Sequence, residues 1–375
     1  MSPSARALIV GAGMAGLALG VALRRVGIDC EIIEQRADLT EPGTGISLQG
    51  PALRALQSIG LVNECIQRGF GYSHFKTCDA NGNVTGTVEL PRLLGPEHPA
   101  TVGILRQAVH EVLAHELMAL NVPIRLSTTP AQIEQKQQSV EVTFSDQSRS
   151  VYDLVVGADG AFSSVREMIF GSEHKPRYTG QMNWRATVSK PSEVQGRYSY
   201  FGPTNKSGFN PISPTEMYIY IVQNVPERPR WADADLPGMM RGLLAEFGGA
   251  LGKARDEVQS PDQIICRPIT SLIMPAPWHR RRVVLIGDAV HATTPHLASG
   301  ASIAIEDAIV LARLLATESP LDSALNQFSR QRFDRCRVIV ENSELLGEWE
   351  KNPSSPNAQT VRVVAESYAL LAKPV

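Results

Sequence analysis

Cysteine is scarce in this chain of 375 residues, and its few thiols follow no pattern. The five cysteines are scattered, are odd in number and include no C-x-x-C pair. This spacing argues against a disulfide framework and against a zinc site, so no metal site is predicted. Sparse, unpaired thiols fit a reducing compartment, and we expect the protein to be cytoplasmic.

An excess of charge of either sign is also absent. Lys and Arg together number 36 and Asp and Glu number 38, which leaves a formal net charge of −2. This balance argues against a nucleic-acid partner and against binding to an anionic membrane surface. Residues 7–23 are uncharged, as a membrane span would be, but four glycines interrupt them. We therefore interpret them as a strand, a turn and a helix, and we expect no membrane association.

The beginning of the chain has the pattern of a βαβ unit. Residues 5–10 are short and apolar, as in a buried parallel strand, and residues 14–26 have a helical pattern that ends before Gly27. Residues 30–34 predict a second strand. This start predicts an α/β fold with a doubly wound sheet. The length of the chain favours two packed domains.

Three glycines between the first strand and the helix have the spacing of a dinucleotide-binding loop. Gly11 would allow the tight turn, Gly13 would let a pyrophosphate approach the backbone, and Gly16 would let the helix pack on the strand. The helix N-terminus would present its N–H groups to the phosphates. Glu34, at the end of the second strand, would accept hydrogen bonds from ribose hydroxyls. This loop alone does not distinguish NAD from FAD.

The remaining segments predict a second, mostly antiparallel sheet and several helices. Polar and apolar residues alternate at 197–201 and at 217–221, where glycine and proline punctuate the sequence. This sheet would be inserted between parts of the nucleotide-binding domain. Further predicted elements are a flexible turn at 43–48, helices near 51–59, 107–120, 302–315, 323–349 and 358–371, and strands at 140–144, 151–156 and 283–286.

Two more loops of glycine and aspartate follow the first one. The sequence Gly157-Ala158-Asp159-Gly160 lies in the middle of the chain. Late in the chain, Gly287-Asp288-Ala289 leads into Pro295, His296 and a helix that begins near Gly300. Any one of these loops would be weak evidence. Together, in this order, the three loops indicate a bound FAD and oxygen chemistry carried out on it.

With these loops the chain resembles the single-component FAD-dependent aromatic hydroxylases related to para-hydroxybenzoate hydroxylase. It is most similar to the branch of salicylate, 6-hydroxynicotinate and urate hydroxylases. The resemblance covers nearly the whole chain and rests on the first loop with Glu34 and Arg36, on residues 153–166 and on residues 284–307. At 297–301 the chain reads Leu-Ala-Ser-Gly-Ala, where many relatives have Gly-Gln-Gly-Ala-Asn, and this departure leaves the substrate open.

The resemblance implies roles for individual residues. Asp159 and Arg166 would support FAD and NAD(P)H binding, and Asp288 would contact the ribityl chain of FAD. Arg106 and Leu48 would lie beside the flavin. In physical terms, the N-terminus of the late helix would stabilise the negative charge of reduced flavin. The residues predicted to bind the cofactor are Gly11, Gly13, Ala15, Gly16, Glu34, Arg36, Leu48, Arg106, Asp159, Arg166, Gly287, Asp288, Pro295, Gly300, Ala301 and Ser302.

The resemblance also implies a reaction. NADPH or NADH would reduce FAD, and O2 would then hydroxylate a small aromatic or N-heteroaromatic substrate through a flavin C4a-hydroperoxide. Arg185 would pair with a carboxylate or enolate, Tyr218 would stack on or hydrogen-bond a ring, and His296 would lie beside a substrate hydroxyl. Each also has a structural interpretation, as a surface charge, a core side chain and a histidine bonded to its own loop.

These predictions give a domain plan. Residues 1–72, 98–175 and 264–345 would form a discontinuous FAD-binding domain, residues 73–97 and 176–263 a substrate-binding domain, and residues 346–375 a C-terminal helix. The protein would be a monomer or a homodimer. Two alternatives stay open: a flavin monooxygenase that epoxidises or hydroxylates a larger antibiotic or polyketide-type substrate, and a non-catalytic FAD-binding sensor or partner protein.

Overall fold

The computed structural model describes residues 5–40, 43–317, 319–352 and 355–375. The strands are β1 (Arg6–Val10), β2 (Asp29–Ile33), β3 (Gly45–Gln49), β4 (Phe70–Tyr72), β5 (His74–Asp79), β6 (Val84–Glu89), β7 (Thr101–Leu105), β8 (Ile124–Arg125), β9 (Pro130–Gln135), β10 (Val140–Phe144), β11 (Arg149–Tyr152), β12 (Leu154–Gly157), β13 (Arg177–Ser189), β14 (Arg197–Phe201), β15 (Lys206–Pro211), β16 (Glu216–Asn224), β17 (Ile264–Ser271), β18 (His279–Arg280) and β19 (Val283–Leu285).

The helices surround the sheets. They are α1 (Met14–Arg25), α2 (Gly50–Ser58), α3 (Val62–Arg68), α4 (Arg106–Ala119), α5 (Ser164–Phe170), α6 (Leu236–Leu244), α7 (Gly249–Ala254), α8 (Asp288–His291), α9 (Gly300–Leu315), α10 (Leu321–Lys351) and α11 (Thr360–Ala372). None of the helices in these ranges is long and apolar enough to cross a bilayer.

A six-stranded sheet in the order β18-β19-β12-β1-β2-β8 forms the centre of the nucleotide-binding half. All of its neighbouring pairs are parallel except β18 with β19. The chain moves outward from β1 in both directions, so the predicted doubly wound α/β fold is confirmed. In such sheets, ligands bind at the carboxyl ends of the strands where the strand order reverses. The three glycine-aspartate loops follow β1, β12 and β19, which places them together at that edge.

Close packing of α1 on β1 depends on its glycines. A Cβ at Gly16 would lie 2.0 Å from the carbonyl oxygen of Gly11, and a Cβ at Gly20 would lie 2.9 Å from a methyl group of Leu117 on α4. Real Cβ atoms do not come this close to other atoms, so a larger residue would push α1 off the sheet. The predicted role of Gly16 in helix–strand packing follows from this geometry.

A seven-stranded sheet in the order β17-β13-β16-β15-β14-β5-β6 forms the second half. Its pairs are antiparallel except β14 with β5. Side chains that alternate along β13 go to opposite faces: Trp184 and Ala186 are buried in a core with α6 and α7, whereas Arg185 faces the nucleotide-binding half. Strand β17 pairs with β13, so this sheet extends to Ser271.

Two local predictions were wrong. Residues 151–156 do not form one strand, because β11 belongs to a small sheet with β9 and β10, whereas β12 enters the six-stranded sheet. Residues 43–48 are not a flexible turn, because β3 pairs in register with β7. The partners of β12 and β3, which are β1 and β7, lie far away in the sequence, and local pattern does not reveal them.

The last helix is anchored by arginines that share one buried acid. Glu306 on α9 accepts from Arg335 at 2.7 Å and from Arg332 at 3.0 Å, and Arg54 on α2 lies 3.4 Å away. Arg54 and Arg335 also donate to backbone carbonyls of Leu370 to Lys373, at the end of α11. The network therefore joins α2, α9, α10 and α11.

The five cysteines are free thiols, and four of them are buried. Burial raises the pKa of Cys30, Cys65 and Cys266 to about 12. These thiols therefore stay protonated at neutral pH.

Candidate cofactor and substrate site

One cavity of about 770 Å³ joins the carboxyl edge of the six-stranded sheet to the open face of the seven-stranded sheet. Its size is within the range of about 300–1,000 Å³ that is usual for ligand and cofactor sites. Parts of all three glycine-aspartate loops line one end, and side chains of β13 to β16 line the other. The structure therefore places most of the predicted cofactor residues, and the predicted substrate residues, around one continuous space.

The first loop leaves a bare stretch of backbone at the start of α1. Gly11 has a φ of +106°, and a Cβ there would lie 2.5 Å from the carbonyl oxygen of Ala158, so only glycine fits. A Cβ at Gly13 would meet nothing within 4 Å. No side chain caps α1, so its first N–H groups are available to an anion. Gly11, Gly13 and Ala15 line the cavity, whereas Gly16 lies behind them against the strand.

Glu34 and Arg36 line the same end of the cavity. The Glu34 carboxylate accepts from the backbone N–H of Ala12 at 2.9 Å and from that of Arg36 at 3.0 Å. It thus fixes the loop after β1 against the end of β2. Each carboxylate oxygen has a further lone pair, which a ribose hydroxyl can use.

The second loop contributes Asp159 but not Arg166. One Asp159 oxygen accepts from the N–H groups of Ser164 and Val165 at the start of α5, at 2.7 and 3.1 Å. The other oxygen is buried at the cavity without a partner among the described residues. Arg166 lies outside the cavity lining and donates to three backbone carbonyls, of His174, Ala289 and Ala161. Its side chain ties the second loop to the third.

The third loop presents Asp288 to the cavity. The side chain is exposed to the cavity, but protein surrounds that space on most sides, and this burial raises the pKa of the Asp288 carboxyl. Positive charges on His291 and Arg106 oppose the increase only in part. Gly287 does not line the cavity, and its N–H donates to Asp307 at 2.9 Å.

A buried ion network supports this loop from behind. The Asp307 carboxylate also forms hydrogen bonds with His291 Nε2 at 2.6 Å and with Arg332 Nε at 2.7 Å. Burial opposes the ionisation of Asp307, but the charges of His291 and Arg332 outweigh it and lower the pKa of this carboxyl. No local pattern predicts this network, because Asp307 lies 16 residues from His291 and 25 residues from Arg332.

The N-terminus of α9 closes the cofactor end of the cavity. Gly300 and Ala301 line it, as does Pro295, and no side chain caps the helix. Its free N–H groups match the predicted sink for negative charge. Ser302 is fully buried outside the lining, and so is Leu48, because Ile46 and Ser47 of β3 form the wall there instead.

The substrate end is one face of the seven-stranded sheet. Because alternate residues share a face, Tyr218 and Tyr220 line the cavity, whereas Tyr200 is buried in the opposite core. Tyr198 stacks on Phe209 with ring centroids 4.8 Å apart. The sheet residues that line the cavity include Asn183, Arg185, Arg197, Lys206, Asn210, Tyr218, Tyr220, Val222 and Arg267.

Arg185 and Tyr218, both predicted from the sequence, contact each other. The Arg185 guanidinium lies 5.3 Å from the centroid of the Tyr218 ring and donates to the carbonyl of Gly45 at 3.1 Å. Tyr218 accepts a hydrogen bond from Asn210 Nδ2 at 2.8 Å. Because the Tyr218 hydroxyl is the acceptor in this hydrogen bond, its O–H group can act as a donor to a ligand in the cavity.

His296 is buried in the wall of the cavity and connects two elements. Its Nδ1 lies 2.8 Å from Thr294 Oγ1, and its Nε2 lies 3.3 Å from a carboxylate oxygen of Glu350 on α10. The other Glu350 oxygen accepts from Lys206 Nζ at 2.5 Å. Gly347 allows this approach, since a Cβ there would lie 2.8 Å from the His296 ring.

Sequence reasoning missed Glu350, Lys206 and Arg197. Arg197 lies on one of the alternating segments that predicted this sheet, so its position on the cavity face could have been read from the period of two. Lys206 lies on β15, which was not among the predicted strands. Glu350 carries no such signal, because it lies in the last turn of a long helix and reaches the cavity edge only through the tertiary packing of α10.

Comparison with known proteins places this geometry among flavoenzymes. A family model described as "FAD binding domain" matches residues 4–343. The 2-heptyl-3-hydroxy-4(1H)-quinolone synthase of Pseudomonas aeruginosa is 34% identical over 92% of this chain and 90% of its own. The 6-hydroxynicotinate 3-monooxygenase of Bordetella bronchiseptica is 26% identical over 95% of both. The crystal structure of Klebsiella pneumoniae HpxO with FAD and uric acid has a TM-score of 0.85, at 22% identity, over 99% of this chain and 93% of that one.

Proposed function

Because this chain belongs to the family of FAD-dependent monooxygenases, we propose that it uses NAD(P)H and O2 to hydroxylate a small aromatic or N-heteroaromatic substrate. The observation that carries the proposal is the single cavity, which runs from the dinucleotide loop to a sheet face rich in Tyr and Arg side chains. The relatives named above support the ring class, since a quinolone and uric acid are both N-heteroaromatic compounds.

The residues of the cavity fit FAD. The bare backbone at Gly11 and Gly13 suits a pyrophosphate, and Glu34 suits a ribose. Asp288 would accept hydrogen bonds from the ribityl hydroxyls, and the N–H groups at Gly300 and Ala301 would face the pyrimidine edge of the flavin. When bound, FAD supplies the electron transfer from NAD(P)H and the activation of O2.

The protein would hold the substrate ring on the sheet face. Tyr218 would donate its free proton to a ring oxygen, and Arg185 would stabilise negative charge that develops on the ring. His296 would act through its position, by fixing the loop before α9 against α10 through Thr294 and Glu350. Confinement between the two halves would exclude water from the reacting atoms.

The test uses purified protein reconstituted with FAD. Oxidation of NADH and of NADPH is followed with a panel of hydroxylated benzoates, pyridines, quinolones and purines. A compound that accelerates oxidation and gains one oxygen atom from isotopically labelled O2 supports hydroxylation. Failure to bind FAD would refute the proposal outright. Tight FAD binding without NAD(P)H oxidation for any compound would favour the non-catalytic alternative instead.

A further inference from the structure

The carbonyl group of Ala12, in the middle of the first glycine loop, is held by a buried histidine of another helix. His110 lies on α4 and is 1% exposed, and its Nε2 lies 2.5 Å from the carbonyl oxygen of Ala12. Because a carbonyl oxygen can only accept, His110 Nε2 carries a proton and donates it. The other ring nitrogen, Nδ1, has no hydrogen-bond partner among the described residues. His110 does not line the cavity, and the proposed reaction gives it no role.

The packing of α4 on α1 brings His110 to the loop. Leu117 follows His110 by two helical turns, so both side chains lie on the same face of α4. A Cβ at Gly20 on α1 would lie 2.9 Å from a methyl group of Leu117, so this glycine lets the two helices approach closely. Val109 and Leu113, on either side of the contact, are fully buried. The imidazole is therefore held in place by packed helices.

Glu34 and His110 hold the two peptide groups on either side of Ala12. The Glu34 carboxylate accepts from the Ala12 N–H at 2.9 Å, which fixes the peptide that joins Ala12 to Gly11. His110 donates to the Ala12 carbonyl, which fixes the peptide that joins Ala12 to Gly13. The conformation of the loop therefore depends on one carboxylate and one imidazole, which come from different elements.

The direction of the Gly13 N–H follows from that of the Ala12 carbonyl. The two groups belong to one planar trans peptide, in which the C=O and N–H bonds point in opposite directions. Ala12 is fully buried and its carbonyl points to His110, away from the cavity, whereas Gly13 lines the cavity. A Cβ at Gly13 would meet nothing within 4 Å. The Gly13 N–H is therefore turned toward open space that an anion can occupy.

We propose that His110 is a positioning residue for the cofactor, which holds the Ala12–Gly13 peptide so that the Gly13 N–H faces the pyrophosphate of FAD. This inference rests on FAD binding and adds to the proposed function a residue that orients one phosphate donor. A peptide that is fixed before the ligand arrives loses less conformational freedom on binding than a mobile one. Loss of this hydrogen bond therefore weakens FAD binding and leaves the surroundings of the flavin ring unchanged.

The test replaces the donor and measures cofactor affinity by equilibrium dialysis. H110L removes the donor and keeps a side chain of moderate size, and we expect it to lower FAD affinity about tenfold. H110Q should restore most of the affinity, because its amide nitrogen can take the place of Nε2. H110N should not, because its side chain is one methylene shorter. The matched control is H115L, which removes an exposed histidine from the same helix and should leave the affinity unchanged.

Two spectra separate positioning from a general loss of structure. The phosphorus NMR resonances of bound FAD should move in H110L, return toward the wild-type positions in H110Q and stay in place in H115L, because the donor acts at the pyrophosphate. The visible absorption spectrum of the bound flavin should be the same in all of these variants. A histidine that only stabilised the fold would change the flavin spectrum together with the affinity.

The outcomes distinguish this inference from the proposed function. Wild-type affinity and unmoved phosphorus resonances in H110L would overturn the inference, as would an altered flavin spectrum or an H110Q protein that binds FAD no better than H110L. If circular dichroism showed that H110L does not fold, equal FAD affinities of H110Q and H110N would refute it. The proposed function would fail separately, through a wild-type protein that binds no FAD or shows no substrate-dependent NAD(P)H oxidation.

Discussion

Replacing Glu350 by glutamine tests whether charge holds α10 against the cavity. The carboxylate lies between Lys206 Nζ, at 2.5 Å, and His296 Nε2, at 3.3 Å. E350Q keeps the shape of the side chain but removes its charge, so both neighbours lose a shared anion while they stay surrounded by protein. Loss of one partner from a buried ion pair is destabilising. We expect the variant to fold and to be less stable at neutral pH.

The magnitude follows from the pKa of Glu350. Burial opposes ionisation, but the charges of Lys206 and His296 outweigh it and lower this pKa from 4.5 to about 2. That difference corresponds to about 3 kcal/mol of folding free energy at neutral pH. Because the pKa is lower in the folded than in the unfolded state, the contribution is complete well above pH 4.5 and is lost as the pH falls toward about 2.

Urea denaturation of the FAD-free protein, followed by circular dichroism from pH 7 to pH 4, measures the effect. E350Q should lower the free energy of unfolding at pH 7 by up to about 3 kcal/mol, and the deficit should begin to shrink below pH 4.5. The matched control is E348Q, whose exposed carboxylate pairs with Lys351 at 2.7 Å and should cost less than about 1 kcal/mol. Equal stability of the two variants at pH 7, or a deficit independent of pH, would refute the reasoning.

Three further substitutions test other parts of the site. G13A should fold normally, since its Cβ meets nothing within 4 Å, but should lower FAD affinity at least about tenfold in equilibrium dialysis; wild-type affinity would contradict the phosphate role. D288N should also weaken FAD binding, yet it should stabilise the FAD-free protein at pH 7, because burial raises the pKa of this carboxyl and makes its ionised form costly; reduced stability in urea would contradict this. E306Q should lower the free energy of unfolding by about 3 kcal/mol or more, and a loss below 1 kcal/mol would show that the arginines find other acceptors.

The parts of the fold that sequence predicts well are those whose signals are local. The predicted helix at 14–26 and the observed α1 (Met14–Arg25) agree within one residue, because apolar period, glycine loop and terminal glycine all indicate the same boundaries. Helix α9 begins at Gly300, the residue near which the late loop predicts its start, and two residues before the apolar pattern at 302–315. Strand β3 was missed because its partner β7 lies more than 50 residues away.

In the site, too, the residues with a local sequence signal were predicted and those placed by tertiary packing were not. The loops at the carboxyl ends of β1, β12 and β19 were recognisable from the sequence, because the local backbone conformation requires their glycines and aspartates. Arg166 and Leu48 were assigned by the resemblance alone, and the structure directs their side chains away from the cavity, into carbonyl contacts and into the core. Glu350 reaches the cavity edge only because α10 folds back across both sheets. The domain boundaries stay a prediction.

The buried, protonated thiols have a chemical consequence for a monooxygenase. Oxidants such as hydrogen peroxide attack the thiolate form of cysteine, whereas protonated, buried thiols react poorly. A pKa of about 12 at Cys30, Cys65 and Cys266 leaves almost no thiolate at physiological pH. If turnover leaks peroxide, these three thiols are therefore poor targets for it, and they would survive many cycles of turnover unoxidised.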